Sequence, residues 1–266
     1  MNAIDAHVHA FPDGLAARAI GALEAGCPWK AVGDGTIGGL LRSMDHAGVE
    51  ISLVCAIATK PEQVEGILNW CRSIRSERIR PLPSVHPGTP DAPGWVRRIA
   101  DEAFVGIKLH PMYQDFHLDD PRMDEVFAAA EQRGLLVTSH CGRDIAFPPD
   151  DDRASPARAA RVVLRHPCLK LICTHLGGWR AWGEVEEHLV GRAVYLETSF
   201  SLEQLSPRRA ADMIRRHGEN RVMMGSDWPW TSQTDEVRNI RSLPLTEDAK
   251  RRILSANASD LLGIKT

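Results

Sequence analysis

The sequence predicts an α/β protein built as a closed (β/α)₈ barrel, and three observations support this prediction. Eight short runs rich in β-branched residues alternate with longer amphipathic runs, as expected of strands that are each followed by a helix. The chain has 266 residues, and such barrels commonly run to ~250 residues. The long connections 10–36, 111–121 and 141–155 all follow strands. We therefore expect one domain over residues 1–266, with its chemistry at the carboxyl ends of the strands.

The predicted strands are mostly apolar, as strands buried on both faces should be. Their bounds are Ala3–His9, Ile51–Ala58, Ile79–His86, Val105–His110, Leu135–His140, Leu169–His175, Ala193–Ser199 and Arg221–Asp227. Helices are predicted at Ile37–Ala47, Pro61–Ile74, Gly94–Glu102, Asp124–Arg133, Pro156–His166, Trp179–Leu189 and Pro207–Arg216, with a C-terminal pair from about Thr234. Ser155 and Thr246 are predicted N-caps, and Gly134 ends its helix.

Composition and charge exclude several classes of function. The net charge is −3 and the basic residues are scattered over helix-like runs, so we expect no nucleic-acid partner. No window approaches the ~20 apolar residues of a membrane span, and the N-terminal residues begin a strand instead of a signal peptide. The six cysteines show no CxxC spacing. We expect a cytoplasmic protein with reduced thiols and a small-molecule substrate, and a homodimer is the default assembly.

Polar side chains depart from the apolar strand pattern where the predicted strands end. They are His7 and His9 on strand 1, His86 on strand 3, Lys108 and His110 on strand 4, His140 on strand 5, His175 on strand 6, Glu197 on strand 7 and Asp227 on strand 8. Residues two apart on a strand share a face, so His7 and His9 point the same way. The sequence predicts that these groups meet at one mouth of the barrel.

A divalent metal is the simplest compensation for such a cluster. One histidine at a strand end is usually a hydrogen-bonded structural residue, and a His-x-His pair alone is a weak signal. Histidines on strands 1, 5 and 6 with an aspartate on strand 8 form a joint pattern that would be costly to bury unpaired. Imidazole and carboxylate suit Zn²⁺, with Mn²⁺, Fe²⁺ or Co²⁺ as alternatives. A catalytic site of this kind keeps one position open for water.

The motifs DAHVH, GIKLHP, SHCG, THLGG, ETS and GSDWP, in this order, resemble those of the amidohydrolase superfamily. The resemblance is greatest to its amidohydrolase-2 branch, which includes aminocarboxymuconate-semialdehyde decarboxylase and related hydrolases and hydratases. It implies a distorted TIM barrel and a metal held by His7 and His9, with His140 as a further ligand. It implies that Asp227 binds the metal, takes the proton of water, or both. His175 would bind a second metal or contact the substrate.

The number of ions is open, because two-metal members bridge the pair with a carboxylated Lys or a Glu on strand 4. We favour one ion, with Lys108 as a charged contact to substrate or water. The further candidates for substrate binding are His110, Arg143, Arg180, Glu197 and Trp228. Each has a structural alternative: Glu197 paired with a nearby Arg, the two arginines solvated, and Trp228 packed among the loops.

Two further polar side chains, Asp5 and Cys173, are expected below the histidines on the inward face of their strands. We expect Asp5 to be structural or to support a ligand, and Cys173 to be a core filler.

The leading hypothesis for function is a metal-dependent hydrolase that acts on an amide, lactone or ester of a small, carboxylate-bearing substrate. Asp227 would deprotonate the water, and His175 or Lys108 would stabilise the oxyanion. The alternative is a metal-dependent decarboxylase or hydratase acting on an unsaturated carboxylic acid, which needs the same ligands. A non-catalytic barrel is disfavoured because the ligand set is complete.

Overall fold

The computed structural model describes residues 3–264, and eight strands follow one another within that range. They are β1 (Ala3–Val8), β2 (Val49–Cys55), β3 (Ile79–Leu82), β4 (Gly106–Leu109), β5 (Leu136–Ser139), β6 (Lys170–Cys173), β7 (Tyr195–Glu197) and β8 (Val222–Met223). All strand pairs are parallel. The predicted α/β barrel class is confirmed. The strands are shorter than predicted because the chain leaves the ladder before most of the terminal polar residues.

The strands form two sheets, β1-β2-β3 and β4-β5-β6-β7-β8, which meet at two seams. At one seam Val8 forms an isolated parallel bridge with Trp228, and at the other Ser84 forms one with Lys108. At the first seam the Asp227 amide also donates to the carbonyl of His7 at 2.7 Å. The seam between β1 and β8 therefore places Asp227 beside the strand-1 histidines.

Helices alternate with the strands along the chain. They are α1 (Asp13–Ala25), α2 (Ile37–Ala47), α3 (Val64–Ile74), α4 (Ala92–Asp101), α5 (Asp124–Gln132), α6 (Pro156–Arg165), α7 (Trp182–His188), α8 (Pro207–His217), α9 (Gln233–Ser242), α10 (Glu247–Arg251) and α11 (Asn257–Leu262). A π-helical turn, Arg252–Ala256, joins the last two, and short 3₁₀ turns occupy Pro61–Gln63, Pro121–Met123 and Glu219–Arg221. None of the helices in residues 3–264 is long and apolar enough to cross a membrane.

Helix α1 was not predicted, because the sequence suggested a plain connection over residues 10–36. Its Ala-rich sequence has high helix propensity, but Gly14 and Gly21 weaken that signal. Its apolar residues also form no single stripe, and Ala16 is its one fully buried residue. The helix lies over the mouth of the barrel, where Leu15 and Leu23 line a cavity.

The helix-end predictions hold at Thr246, where the hydroxyl oxygen accepts a hydrogen bond from the Ala249 amide at 3.2 Å. Ser155 occupies the predicted N-cap position of α6, with Pro156 next, but its hydroxyl makes no cap bond. Its carbonyl instead accepts from the Ala159 amide at 3.2 Å. Gly134 follows α5 with a φ of +65°, as expected of a residue that ends a helix.

An apolar cluster from six strands fills the barrel below its mouth, and Ala258 of α11 closes it from beneath. Ile4 and Ala6 belong to this interior cluster, whereas Asp5 accepts a hydrogen bond from Gln233 of α9, outside the sheet. The expectation that Asp5 shares the inward face is therefore wrong. A register shift between Asp5 and Val8 breaks the alternation and turns His7 into the mouth.

Cys173 also faces away from the barrel interior, contrary to expectation. It belongs to the core cluster between sheet and helices, while its neighbour Ile172 belongs to the interior cluster. His175, two residues on, reaches the mouth because its backbone takes a φ of +59°. The left-handed conformation cancels the alternation that the sequence alone implies.

Candidate metal centre

The polar residues that end the strands converge on one cavity of about 590 Å³ at the carboxyl ends of the strands. Its lining includes His7, His9, Lys108, His110, His140, His175 and Asp227. These seven groups meet at one mouth as the sequence predicts, whereas His86 and Glu197, which were predicted to join them, are not among the lining residues. Within the cavity they fall into smaller groups, which differ in what each could bind.

His7 and His9 present bare nitrogens to each other. The Nδ1 atom of His9 lies 2.8 Å from the carbonyl oxygen of Cys55, which can only accept, so Nδ1 carries the proton. The Nδ1 atom of His7 lies 3.0 Å from Glu197 Oε1, which fixes its tautomer in the same way. The two Nε2 atoms are therefore acceptors, and they lie 3.1 Å apart.

Asp227 completes this group with a carboxylate oxygen. Its Oδ1 lies 3.1 Å from His9 Nε2 and 3.5 Å from His7 Nε2, and it is buried with no hydrogen-bond donor among residues 3–264. His7 Nε2 also lies 3.0 Å from Lys108 Nζ, but Asp227 Oδ1 is left without a hydrogen-bond donor within the described range, and a cation would satisfy it. The donor set of two imidazoles and one carboxylate fits a divalent transition metal.

The protonation states of the group also suit metal binding. Burial lowers the pKa of His7 well below its usual value, so its imidazole is neutral at neutral pH. Burial alone would raise the pKa of Asp227, but the adjacent His7 and His9 hold it well below its usual range. A neutral His7 imidazole beside an ionised Asp227 carboxylate is a combination that can coordinate a metal.

Backbone geometry at Asp227 positions its side chain. Asp227 adopts a φ of +63°, in the left-handed region that a non-glycine residue rarely takes. Such a conformation costs of order 1–3 kcal/mol and is concentrated at functional sites. The bond from its amide to the His7 carbonyl fixes the turn against β1. The turn and this hydrogen bond together place the carboxylate beside the two imidazoles.

Glu197 and Ser199 support the site from below. Glu197 is fully buried, and Oε1 accepts from the His175 amide at 2.9 Å and the Ser199 hydroxyl at 2.8 Å, besides facing His7. Burial raises the pKa of Glu197. A Cβ at Gly225 would stand 1.9 Å from Glu197 Oε2, so only glycine leaves room for this carboxylate. Glu197 thus pairs with histidine, and the expected alternative of an arginine partner is wrong.

His175 links the first group to a second one. Its Nδ1 lies 2.9 Å from Ser199 Oγ, and its Nε2 lies 3.1 Å from His140 Nδ1. His140 Nε2 lies 3.0 Å from the Arg143 carbonyl and so carries a proton. Burial lowers the pKa of His140 to about 3 and that of His175 to about 4. The structure places His140 one imidazole away from the group formed by His7, His9 and Asp227.

The second group consists of His110, His140 and Asp144, whose ligand atoms lie within 4.8 Å of one another. The rings of His110 and His140 stack at 4.2 Å, and His110 Nε2 lies 3.4 Å from Asp144 Oδ2. Asp144 and Ser199 were missed by the sequence analysis. An acidic residue shortly after the strand-5 histidine was the signal for Asp144, whereas a serine has no comparable signature.

Lys108 lies at the floor of the cavity and is fully buried. Its Nζ is 3.0 Å from His7 Nε2, and no carboxylate of the described residues lies within ion-pair distance of it. An ammonium group without an acidic partner in this position can bind an anionic group of a substrate or a developing oxyanion.

The remaining candidates do not line the main cavity, although the recess that Arg143 lines is also lined by Asp227. Arg143 lies in a smaller adjoining recess of about 80 Å³, where it pairs with Glu184 at 3.2 Å. Arg180 is exposed and lies over the Trp179 ring at 4.3 Å. Trp228 is buried and packs closely against Gly33, away from the cavity lining. Trp230, two residues on, does line the cavity.

Comparison with known proteins places this geometry in context. The model of a family described as amidohydrolase matches residues 4–264. Comparison with curated proteins gave no significant match. The chain is similar in fold to an uncharacterised TIM-barrel protein from Bordetella bronchiseptica, with 18% identity, 99% of each chain covered and a TM-score of 0.79.

Two further solved structures share the fold. One is a dihydroxybenzoic acid decarboxylase from Polaromonas, solved with bound manganese, at 17% identity and a TM-score of 0.75, covering 99% of this chain and 97% of that one. The other is a provisionally assigned 2-pyrone-4,6-dicarboxylic acid hydrolase from Pseudomonas putida, at 19% identity and a TM-score of 0.68, covering 100% and 98%. At these identities the likeness concerns the fold.

Proposed function

Because the chain belongs to the amidohydrolase family, whose model matches residues 4–264, we propose that it is a metal-dependent hydrolase. Its nucleophile is water, and its target is the carbonyl carbon of an amide, lactone or ester in a small, carboxylate-bearing molecule. The observation that carries the proposal is the buried, unpartnered Oδ1 of Asp227, which lies within 3.5 Å of two imidazole nitrogens. This is the position of a base beside a metal.

We propose Zn²⁺ as the ion and one ion per chain, with His7, His9 and Asp227 as ligands. Two nitrogens and one carboxylate oxygen are a zinc-like donor set, and the manganese bound in the Polaromonas decarboxylase makes Mn²⁺ the alternative. When bound, such an ion lowers the pKa of water and polarises a carbonyl group. His140 and His175, which line the same cavity, are the further ligands that we propose.

The residues of this chain divide the proton transfers among themselves. A carboxylate oxygen of Asp227 takes a proton as the oxygen of water forms its bond to the carbonyl carbon. Lys108 Nζ, or His175 as the alternative, donates a hydrogen bond to the developing oxyanion. When the bond to the leaving group breaks, Asp227 returns its proton to the nitrogen or oxygen that departs. Water is consumed, and Asp227 is regenerated as a carboxylate.

Decarboxylation is the second candidate, and the buried Lys108 ammonium is the observation that favours it. A cation without an acidic partner at the cavity floor can hold the carboxylate of an aromatic acid beside the metal group. In that case the bond that breaks joins the carboxylate to the ring, a proton takes its place, and no water is consumed. Hydration of a double bond is a further variant of this lyase chemistry.

The first test measures metal content and the reaction separately. Protein purified without added metal is assayed for metal per chain, then assayed with dihydrocoumarin and 4-nitrophenyl acetate for hydrolysis and with 2,6-dihydroxybenzoate for CO₂ release. We expect about one metal per chain and hydrolysis that a chelator abolishes. Release of CO₂ without hydrolysis would replace the hydrolase by the lyase, and metal-free protein with full activity would refute both.

A substitution at the proposed base gives the second test. Asp227→Asn removes the group that accepts the proton of water, and we expect about a 10²–10⁴-fold loss of turnover, the usual contribution of a general base. The matched control is Asp212→Asn, which makes the same change on the exposed surface of α8. Unchanged turnover in Asp227→Asn would rule out this role.

We also propose a cytoplasmic location and a homodimer. All six cysteines are free thiols, four of them buried, as a reducing compartment maintains. A two-fold dimer is the commonest assembly of soluble enzymes. Sedimentation analysis of the purified protein tests the second point.

A further inference from the structure

The cavity is much larger than its reacting end. It measures about 590 Å³, whereas a cavity of ~150 Å³ is enough to hold a benzene molecule. The group formed by His7, His9 and Asp227 occupies the floor of this space. The remaining volume extends from the floor towards α1 and α3, whose residues form its outer walls. A molecule with a single small ring would leave most of this volume to water.

The outer walls are apolar and partly exposed. Leu15 and Leu23 of α1 line the cavity together with Ile67 and Trp70 of α3, and Leu15 is 43% exposed. Trp29 extends this wall, with its ring 5.5 Å from that of Phe200 in an edge-to-face contact. Large apolar side chains exposed together around a cavity mark a surface that a ligand covers.

Positive charge in the cavity is confined to the floor. Among the residues that line it within the described range, Lys108 is the one lysine, and there is no arginine. Arg143 lies in the adjoining recess and is already paired with Glu184. Beside Leu15, Ile67 and Trp70, a second carboxylate on a substrate would meet the neutral Thr59 and Gln63 but no cation, so its charge would be desolvated without an ion pair.

We propose that this cavity binds a monoanionic or carbonyl-bearing molecule whose apolar body is larger than one benzene ring. Its polar, reactive end lies at Lys108 and the metal group, and its apolar body lies between α1 and α3. Dicarboxylates and small polar acids bind weakly. The identity of the reacting end rests on the function proposed above, whereas the apolar body follows from the walls alone.

Binding of a graded ligand series tests the inference. The probes are 4-alkylbenzoates from 4-methylbenzoate to 4-hexylbenzoate, with terephthalate as a dicarboxylate, titrated calorimetrically into zinc-loaded protein. Each methylene that enters the cavity should tighten binding about fourfold, which corresponds to ~0.8 kcal/mol per buried CH₂. Terephthalate should bind more weakly than 4-methylbenzoate. Affinity that is independent of chain length, or tighter binding of terephthalate, would overturn the proposal.

Two glycines provide a matched pair of variants. Gly66 lines the cavity from α3, and a Cβ there would meet no atom within 4 Å, so the side chains of Gly66→Leu and Gly66→Trp start in open space at the cavity wall. Gly183 of α7 is equally open and lies outside the cavity lining, so Gly183→Leu makes the same change elsewhere. Both positions are helical, where replacing glycine favours the fold.

The variants should separate the long ligands from the short ones. Gly66→Leu and Gly66→Trp should weaken 4-hexylbenzoate increasingly while 4-methylbenzoate keeps its affinity, and Gly183→Leu should change neither. An equal loss in Gly183→Leu would refute the assigned position of the apolar body. Because calorimetry needs no turnover, chain-length dependence in a protein without hydrolase activity would reject the proposed reaction and retain the cavity assignment. Hydrolysis of small esters together with affinities that do not depend on chain length would retain the proposed reaction and reject the cavity assignment.

Discussion

Replacing Glu197 with glutamine should weaken metal binding, although Glu197 itself is not a proposed ligand. Glu197 Oε1 faces His7 Nδ1 at 3.0 Å and Oε2 accepts from the Ser199 amide at 2.8 Å, so both oxygens of the carboxylate are in use. The glutamine side chain has nearly the same shape but offers one acceptor and one donor. If its oxygen takes the place of Oε1, its NH₂ group meets the N–H of Ser199.

Two magnitudes follow from this geometry. The unmatched donor pair should lower the free energy of unfolding by about 1–3 kcal/mol, the cost of a buried hydrogen-bonding group left unsatisfied. The loss of the carboxylate behind His7 should weaken metal affinity about 10- to 100-fold, because such a partner orients the ligand and increases its basicity. Zinc affinity is measured by competition with a chromophoric chelator, and stability by urea unfolding of the metal-free protein.

Glu236 provides the control, since it is also a buried glutamate but bonds to Thr198 instead of His7. Burial raises the pKa of Glu236 well above its usual value, which favours the neutral carboxyl, and its side chain bonds to no proposed ligand, so Glu236→Gln should leave zinc affinity unchanged. Equal zinc affinity in Glu197→Gln and wild type, in variants that remain folded, would refute the assigned role of Glu197.

Three further predictions concern stability. Burial lowers the pKa of His217 to about 4, so the free energy of unfolding should fall by up to ~3 kcal/mol as the pH drops from ~6.5 towards 4 and the unfolded chain binds a proton that the folded chain does not. In urea unfolding, His217→Gln should flatten this pH dependence, whereas His46→Gln at an exposed position should leave it unchanged. Asn257→Ala removes two 2.7 Å bonds to backbone carbonyls and should lower the unfolding free energy by about 1–3 kcal/mol, against no change for exposed Asn220→Ala. Zn²⁺ at 100 times its dissociation constant should stabilise the metal-free protein by ~2.7 kcal/mol, and an unshifted melting temperature would contradict a metal site.

Sequence reasoning located the strands and the mouth because both depend on local signals. Apolar runs mark buried strands, and polar residues such as His140 and Asp227 stand out where those runs end. The direction in which individual side chains point was predicted less well. Asp5 and Cys173 face outward, whereas His7 and His175, each two residues further on, reach the mouth because a register shift in β1 and the left-handed backbone at His175 break the alternation. Closure of the two sheets imposes these irregularities, and no short segment encodes them.

The residues that support the site through tertiary contacts could not be predicted from the sequence either. Ser199 matters because its hydroxyl lies near Glu197, His7 and His175 together, which no spacing along the chain reveals. The apolar wall of α1 was missed because Gly14 and Gly21 interrupt its helical pattern. Its role in binding follows only from its position over the barrel mouth.

The seam between β1 and β8 gives the metal group a mechanical role. His7 belongs to the three-stranded sheet and His9 follows directly from it, whereas Asp227 follows the last strand of the five-stranded sheet. An ion bound to all three would cross-link the two sheets at a junction that few backbone hydrogen bonds span. Amide protons along this junction should then exchange with solvent more slowly in the metal-loaded protein, while those at the far junction near Ser84 keep their rates.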